Sequence, residues 1–255
     1  YEISNHMPLA IRWGAGIAQP GRVVDDYVSF IDFAPTFLDV AGVAESASGM
    51  AAITGKSLSP IFKDTTPAPG RLQPGRDALL VGQERHDTGR PDDVGYPVRG
   101  LYRDGFLYLH NFEAARWPMC DPVTGYLNTD GSPTKTFILA QNRLGLNHWR
   151  WELNFGRRPK EELYDLRADP DCLNNLAGEK PHTARREAMQ QQLFTELKTQ
   201  QDPRMAGQGA VFDHYPHMVT RDFYGQYVRE EKPKAGWVEA TDFEPAGFDP
   251  ERPWR

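Results

Sequence analysis

Two apolar runs, residues 98–103 and 106–110, stand on either side of Asp104-Gly105. An aspartate-glycine step supplies the left-handed backbone positions of a tight hairpin turn, so the spacing predicts two antiparallel strands. Residues 78–82 and Glu162-Leu163-Tyr164-Asp165-Leu166 read as further strands of the same kind, and residues 183–199 form the clearest helix, with Met189, Leu193, Phe194 and Leu197 on one stripe. Residues 136–144 have helical spacing too. The fold class expected from these elements is α/β or α+β, an antiparallel sheet carrying a packed helix.

The residues before this sheet follow another pattern. Pro8-Leu9-Ala10-Ile11-Arg12-Trp13, ended by Gly14, reads as a buried strand with a turn behind it, and Val23-Val24 begins a second extended piece. Residues 29–42 read as a helix stopped by Gly42, with Ile31, Pro35, Leu38 and Ala41 on its inner face. Residues 45–77 are rich in Ser, Thr, Pro and Gly, hold one short helical candidate at 58–62, and mark a domain seam. The stretch 200–255 is aromatic, proline-rich and mostly irregular.

Charge excludes some functions. The 255 residues hold 29 Lys+Arg against 35 Asp+Glu, a formal net charge of −6, which argues against a general nucleic-acid partner. No apolar run of about 18 residues occurs, so no membrane-spanning segment is expected. Tyr1-Glu2-Ile3 has no initiator Met and no leader-like character, so the chain is expected to have been processed or cut from something longer. Cys120 and Cys172 are too few for a disulfide framework, and unpaired thiols are the expected state.

Several clusters hold residue types that can carry chemistry. Cys120-Asp121-Pro122 has the Cys-x-Pro half of the sequence that is oxidised to formylglycine, but Val123-Thr124 follow where the motif needs an arginine. Asp165, Asp169 and Asp171 lack the central glycine and bidentate glutamate of a calcium loop and read as a strand end and turn. Asp25-Asp26 reads as an exposed acidic pair. Asp213, His214 and His217 surround Pro216, which spoils the helix that a two-histidine metal site would use. The segment 84–93 differs in kind, because it packs Glu84, Arg85, His86, Asp87 and Arg90 into one turn-forming loop after a strand. Two readings stay open for it, a solvated charged loop or a site in which Arg85 and Arg90 fork onto an anion and His86 donates to it.

Taken in order, several stretches resemble the C-terminal half of a sulfatase. Tyr1-Glu2 with Met7-Pro8-Leu9-Ala10-Ile11-Arg12-Trp13 resembles the family's "LYE…PLIVRWP" strand. Residues 26–38 resemble "VSLLDLAPTLLDLAGV", and Gly55-Lys56-Ser57-Leu58 matches the "GxSL" step. Residues 162–177 resemble "ELYDLxxDPxExxNLA". Residues 82–86, 95–99 and 106–112, with Asp202-Pro203-Arg204 and Gly207, are similar to the heparan N-sulfatase (sulfamidase) branch.

The resemblance implies an alkaline-phosphatase-like fold. Residues 1–62 would end its large α/β domain, 63–77 would link, 78–217 would form the C-terminal antiparallel subdomain, and 218–255 an extended tail. It implies a hydrolase of sulfate esters or sulfamides on a sulfated sugar such as a heparan-type glycan. Calcium and formylglycine, the family's metal and nucleophile, are expected outside this segment, which alone would be inactive. The partners implied are the N-terminal catalytic half, a sulfated carbohydrate and possible homo-oligomer contacts, and the compartment would be periplasmic, secreted or lysosomal. Arg85 and His86 are the expected substrate-binding residues, with Glu84, Tyr96 and Arg99 beside them. A phosphodiesterase or phosphonate hydrolase of the same superfamily, or a non-catalytic carbohydrate-binding module, stays open as an alternative. Trp237, Tyr224, Tyr227 and Trp254 of the aromatic tail would serve sugar binding, an oligomer contact, or simply wrap over the body.

Overall fold

A computed structural model describes residues 1–66, 70, 73–216, 222–231, 237–245 and 247–249. The elements run α1 (Glu2–Asn5), α2 (Phe33–Ala41), α3 (Ser59–Lys63), β1 (Ala78–Gln83), β2 (Val98–Arg103), β3 (Phe106–Asn111), α4 (Pro133–Arg143), α5 (His148–Phe155), β4 (Glu161–Asp165), α6 (Thr183–Thr199) and α7 (Phe223–Val228). The four strands form one sheet in the order β1-β2-β3-β4. Asp104 at φ 50° and Gly105 at φ 73° turn β2 into β3, as the Asp-Gly step requires. The Leu166 N–H donates to the Gly105 carbonyl and the Asn111 N–H to the Lys160 carbonyl, and this pairing makes β3 and β4 antiparallel. The sheet with packed helices is the architecture expected from the sequence.

Contacts divide the chain into two compact units, one of residues 1–81, 101–107 and 164–172, the other of the remainder. In the first, Leu58, Ile61 and Phe62 are buried against Ile17, Val24, Val28 and Phe33. Asp32 organises the backbone around this cluster. Its carboxylate accepts the Ser29 N–H at 3.0 Å, the Lys56 N–H at 2.7 Å and the Arg76 guanidinium at 2.8 Å. Arg76 also donates to the carbonyls of Lys56 at 2.6 Å and Ser57 at 3.0 Å. The predicted helix forms and stops at Gly42, at φ 68°. Its buried residues are Asp32 and Thr36 rather than Ile31 and Ala41, which are exposed, because the Thr36 hydroxyl accepts the Leu58 N–H at 2.8 Å. Asp26 is likewise buried, not exposed, and accepts the Gln73 N–H.

The strand expected at 8–13 does not form. Residues 8–12 take no regular secondary structure and make no backbone hydrogen bond with the described residues, and a strand without a neighbour has nothing to define it. Met7, Leu9, Ile11 and Trp13 alternate along it, each at least 36% exposed. These residues line a cavity of about 1180 Å³ inside the first unit, with Val24, Leu58 and Leu79.

The second unit has its core where α4 and α5 meet, with Tyr126, Ile138, Leu139, Trp151 and Phe155 buried together. α4 begins at Ser132, whose hydroxyl accepts the Lys135 N–H, and at Pro133, so it starts three residues before the periodic pattern does. On α6, Met189, Leu193 and Leu197 are buried as expected. The tail wraps back over this unit. The Trp237 indole donates to the Leu127 carbonyl at 3.0 Å, and Tyr227 stacks on Phe243 at 5.3 Å. Trp254 and His217 lie outside the described residues. Cys120 and Cys172 are both free and buried.

Candidate functional site

The loop between β1 and β2 lies wholly in the second unit and begins at Glu84. Glu84 is held from two sides, by Arg99 at 2.5 Å and by Arg204 at 2.6 Å, while Arg99 also reaches Asp202 at 2.8 Å. These four side chains form an ion-pair ladder that spends the charge of Glu84 and Arg99 inside the protein. Farther along, Arg116 grips Asp213 at 3.0 Å, and Asp213 accepts the Gly95 N–H at 3.0 Å. Burial works against ionising Asp213, but the bonds from Arg116 and Gly95 outweigh it and hold the carboxyl below the usual range.

Arg90 is 2% exposed. Its guanidinium donates to the carbonyls of Trp117 at 2.6 Å, Pro118 at 2.7 Å and Val94 at 3.3 Å, and it forms no ion pair among the described residues. Burial lowers its pKa. The ring of Tyr96 packs against it at 5.9 Å, and the Tyr96 hydroxyl is buried with no hydrogen-bond partner among the described residues. Both side chains are buried within the loop.

Two of the expected residues stay at the surface of the unit. Arg85 is half-buried and donates to the carbonyls of Asp93, at 2.9 Å, and Tyr215. His86 is exposed, with Nδ1 3.3 Å from the Asn128 side-chain oxygen. The backbone here is strained, since Asp92 and Asp93 sit at φ 57° and 53°, in the region non-glycine residues avoid. The arrangement offers an imidazole, an amide and part of a guanidinium to a polar or anionic ligand. Asn128, Arg204 and Asp213 were not among the expected site residues, because their partners lie 42 to 120 positions away in the chain.

Residues 1–73 match the family described as "N-sulphoglucosamine sulphohydrolase, C-terminal". Over these residues the chain is similar to the C-terminal region of a sulfatase. A human N-sulphoglucosamine sulphohydrolase is 27% identical over 62% of this chain and 29% of its own length. An N-acetylglucosamine-6-O-sulfatase of Bacteroides thetaiotaomicron is 26% identical over 79% of this chain and 26% of its own length. A solved structure in complex with D-glucosamine-2-N,6-O-disulfate covers 67% of this chain and 24% of its own, with 20% identity and a TM-score of 0.40. The chain spans between 26% and 34% of the length of the curated relatives it matches.

The candidate loop, 84–99, lies beyond the matched residues. Among the described residues no three His, Cys, Asp or Glu side chains converge as a metal site. Cys120 is fully buried, and burial first, then Asp87, pushes its thiol up to about 12 against the pull of Arg90. No helix among the described residues is long and apolar enough to cross a membrane.

Proposed function

We propose that the protein is a sulfatase hydrolysing a sulfate ester or sulfamide on a sulfated sugar, such as a heparan-type glycan, with this chain supplying walls of the substrate pocket. The match of residues 1–73 to the C-terminal family of N-sulphoglucosamine sulphohydrolases carries this reading. The segment 8–13 supports it. Its unpaired backbone and alternating exposed Met7, Leu9, Ile11 and Trp13 suit a strand that completes a sheet with residues outside this chain. That sheet would belong to the N-terminal catalytic half of an alkaline-phosphatase-like fold, with 1–62 ending the large domain and 78–217 forming the antiparallel subdomain. Calcium and formylglycine would reside in that half, and no step of the chemistry is assigned to residues here.

Within this chain, His86 and Arg85 would touch the sulfated sugar. His86 donates to an anionic oxygen, and Arg85 supplies its cation at the same rim. Glu84 and Arg99 fix the loop that carries them. The test uses the complete protein with sulfated glucosamine, following sulfate release. Arg85→Ala and His86→Ala are expected to lower kcat/KM about tenfold or more, the scale of one lost charged contact. Unchanged kcat/KM in both variants overturns the residue assignment, and release of phosphate but no sulfate from a substrate panel overturns the reaction.

A further inference from the structure

In the second unit, α4 and α5 present a surface that the candidate loop does not use. Phe137 is 50% exposed and Trp149 55% exposed, and Leu144 and Leu146, between them in sequence, are 69% and 50% exposed. One cation ties the two rings together. The Arg150 guanidinium stands 6.0 Å from the Phe137 ring centre and 5.1 Å from that of Trp149, and it forms no ion pair among the described residues. Arg157 sits in the same way over Trp117, at 4.4 Å. Residues 144–160 hold Arg150, Arg157, Arg158 and Lys160 against Glu152 alone, in a chain whose net charge is −6.

The physical chemistry of this surface selects its occupant. Two solvent-exposed rings lose free energy to water and gain it by stacking on a flat apolar face. A purely apolar partner would strip water from Arg150 without replacing its hydrogen bonds, which strongly disfavours burying an unpaired guanidinium. Self-association about a two-fold axis would set Arg150 and its neighbouring cations against their own copies. A sulfated or uronic-acid sugar meets every demand, because its C–H face stacks on a ring while its anion accepts two parallel N–H bonds from a guanidinium.

We infer that Phe137, Trp149 and Arg150 form a binding site for an anionic polysaccharide, the rings taking sugar faces and Arg150 taking a sulfate or carboxylate. The site rests on the proposed function only for its choice of a sulfated glycan as the natural ligand. Titration calorimetry on the complete protein with heparin, and with heparin stripped of its sulfates, tests it. Heparin is expected to bind with an affinity that falls as salt rises, and desulfated heparin to bind at least about tenfold more weakly. Trp149→Ala and Arg150→Ala should each weaken heparin binding by about tenfold, and Arg150→Lys should restore it only in part, since an ammonium lacks the planar fork. Hydrolysis of a sulfated monosaccharide should not change in these variants.

Wild-type heparin affinity in both variants overturns the inference, as does equal affinity for the desulfated chain. A dimer that Trp149→Ala converts to monomer, with no heparin binding in either state, overturns it in favour of a protein interface. Should the wild-type protein hydrolyse no sulfated sugar while the variants still lose heparin, the proposed function fails and this site stands.

Discussion

Lys135 and Asp242 form an ion pair of 3.1 Å with side chains 1% and 0% exposed. The ammonium also donates to the carbonyls of Gly125 at 2.9 Å and Thr129 at 2.6 Å, and Asp242 accepts the Glu239 N–H at 2.9 Å. The pair pins the segment 237–245 to α4, and Arg143 with Glu244, at 3.0 Å, repeats the anchor one step on. A buried pair of this kind contributes little net stability, but removing one partner strands the other. Asp242→Ala is expected to cost about 3–5 kcal/mol in urea unfolding, and Lys135→Met with Asp242→Leu together less than Asp242→Ala alone.

Glu84 faces two guanidiniums, Arg99 and Arg204, so Glu84→Gln leaves both cations short of an anion. The loss expected is on the order of 2 kcal/mol, because the lost hydrogen bonds are charge-assisted and only partly solvent-exposed. A Glu84→Gln protein as stable as wild type, with a raised KM for sulfated sugar, would instead make Glu84 a ligand group.

His110 packs edge-on against Phe112 at 4.8 Å and Phe194 at 5.0 Å. Burial first, then Lys160, disfavours its charged form against the opposing pull of Glu161, so its folded pKa lies below the ordinary 6.5. The unfolded chain then binds the proton more readily. This contribution to stability is complete above about 6.5 and falls as the pH drops from there toward the folded value. Melting temperatures measured between pH 8 and pH 5 should decline on the acid side, and His110→Gln should flatten that part of the profile.

Cys120 is sealed by Leu127 and Phe223, with Trp237 and Val238 packed over the same cluster. With its thiol pushed up to about 12, it carries almost no thiolate near neutral pH. A thiol-reactive dye at pH 8 should leave Cys120 unlabelled in the native protein and label both cysteines in guanidinium chloride. Rapid native labelling at Cys120 would mean that the strap over it opens.

The hairpin, the 183–199 helix and the Gly42 stop were legible because each is local. Asp104-Gly105 encodes its own turn, and Met189, Leu193 and Leu197 recur at helical spacing. α5 was missed, since His148-Trp149-Arg150-Trp151 carries aromatics on every side and shows no one-sided stripe, and only the Trp151 and Phe155 contacts with the core select its inner face.

The sequence by itself determined the turns, the periodic helix, the charged loop at 84–93 and the family likeness, all properties of neighbours along the chain. Tertiary structure decided what those charges do. A sequence shows the charges of Glu84 and Arg99 but not their partners, and in the fold Arg204 arrives beside Glu84 from 120 positions away. The same holds for residues 8–13, which have a strand's pattern but no strand, because hydrogen bonding between strands belongs to the pair and not to either segment.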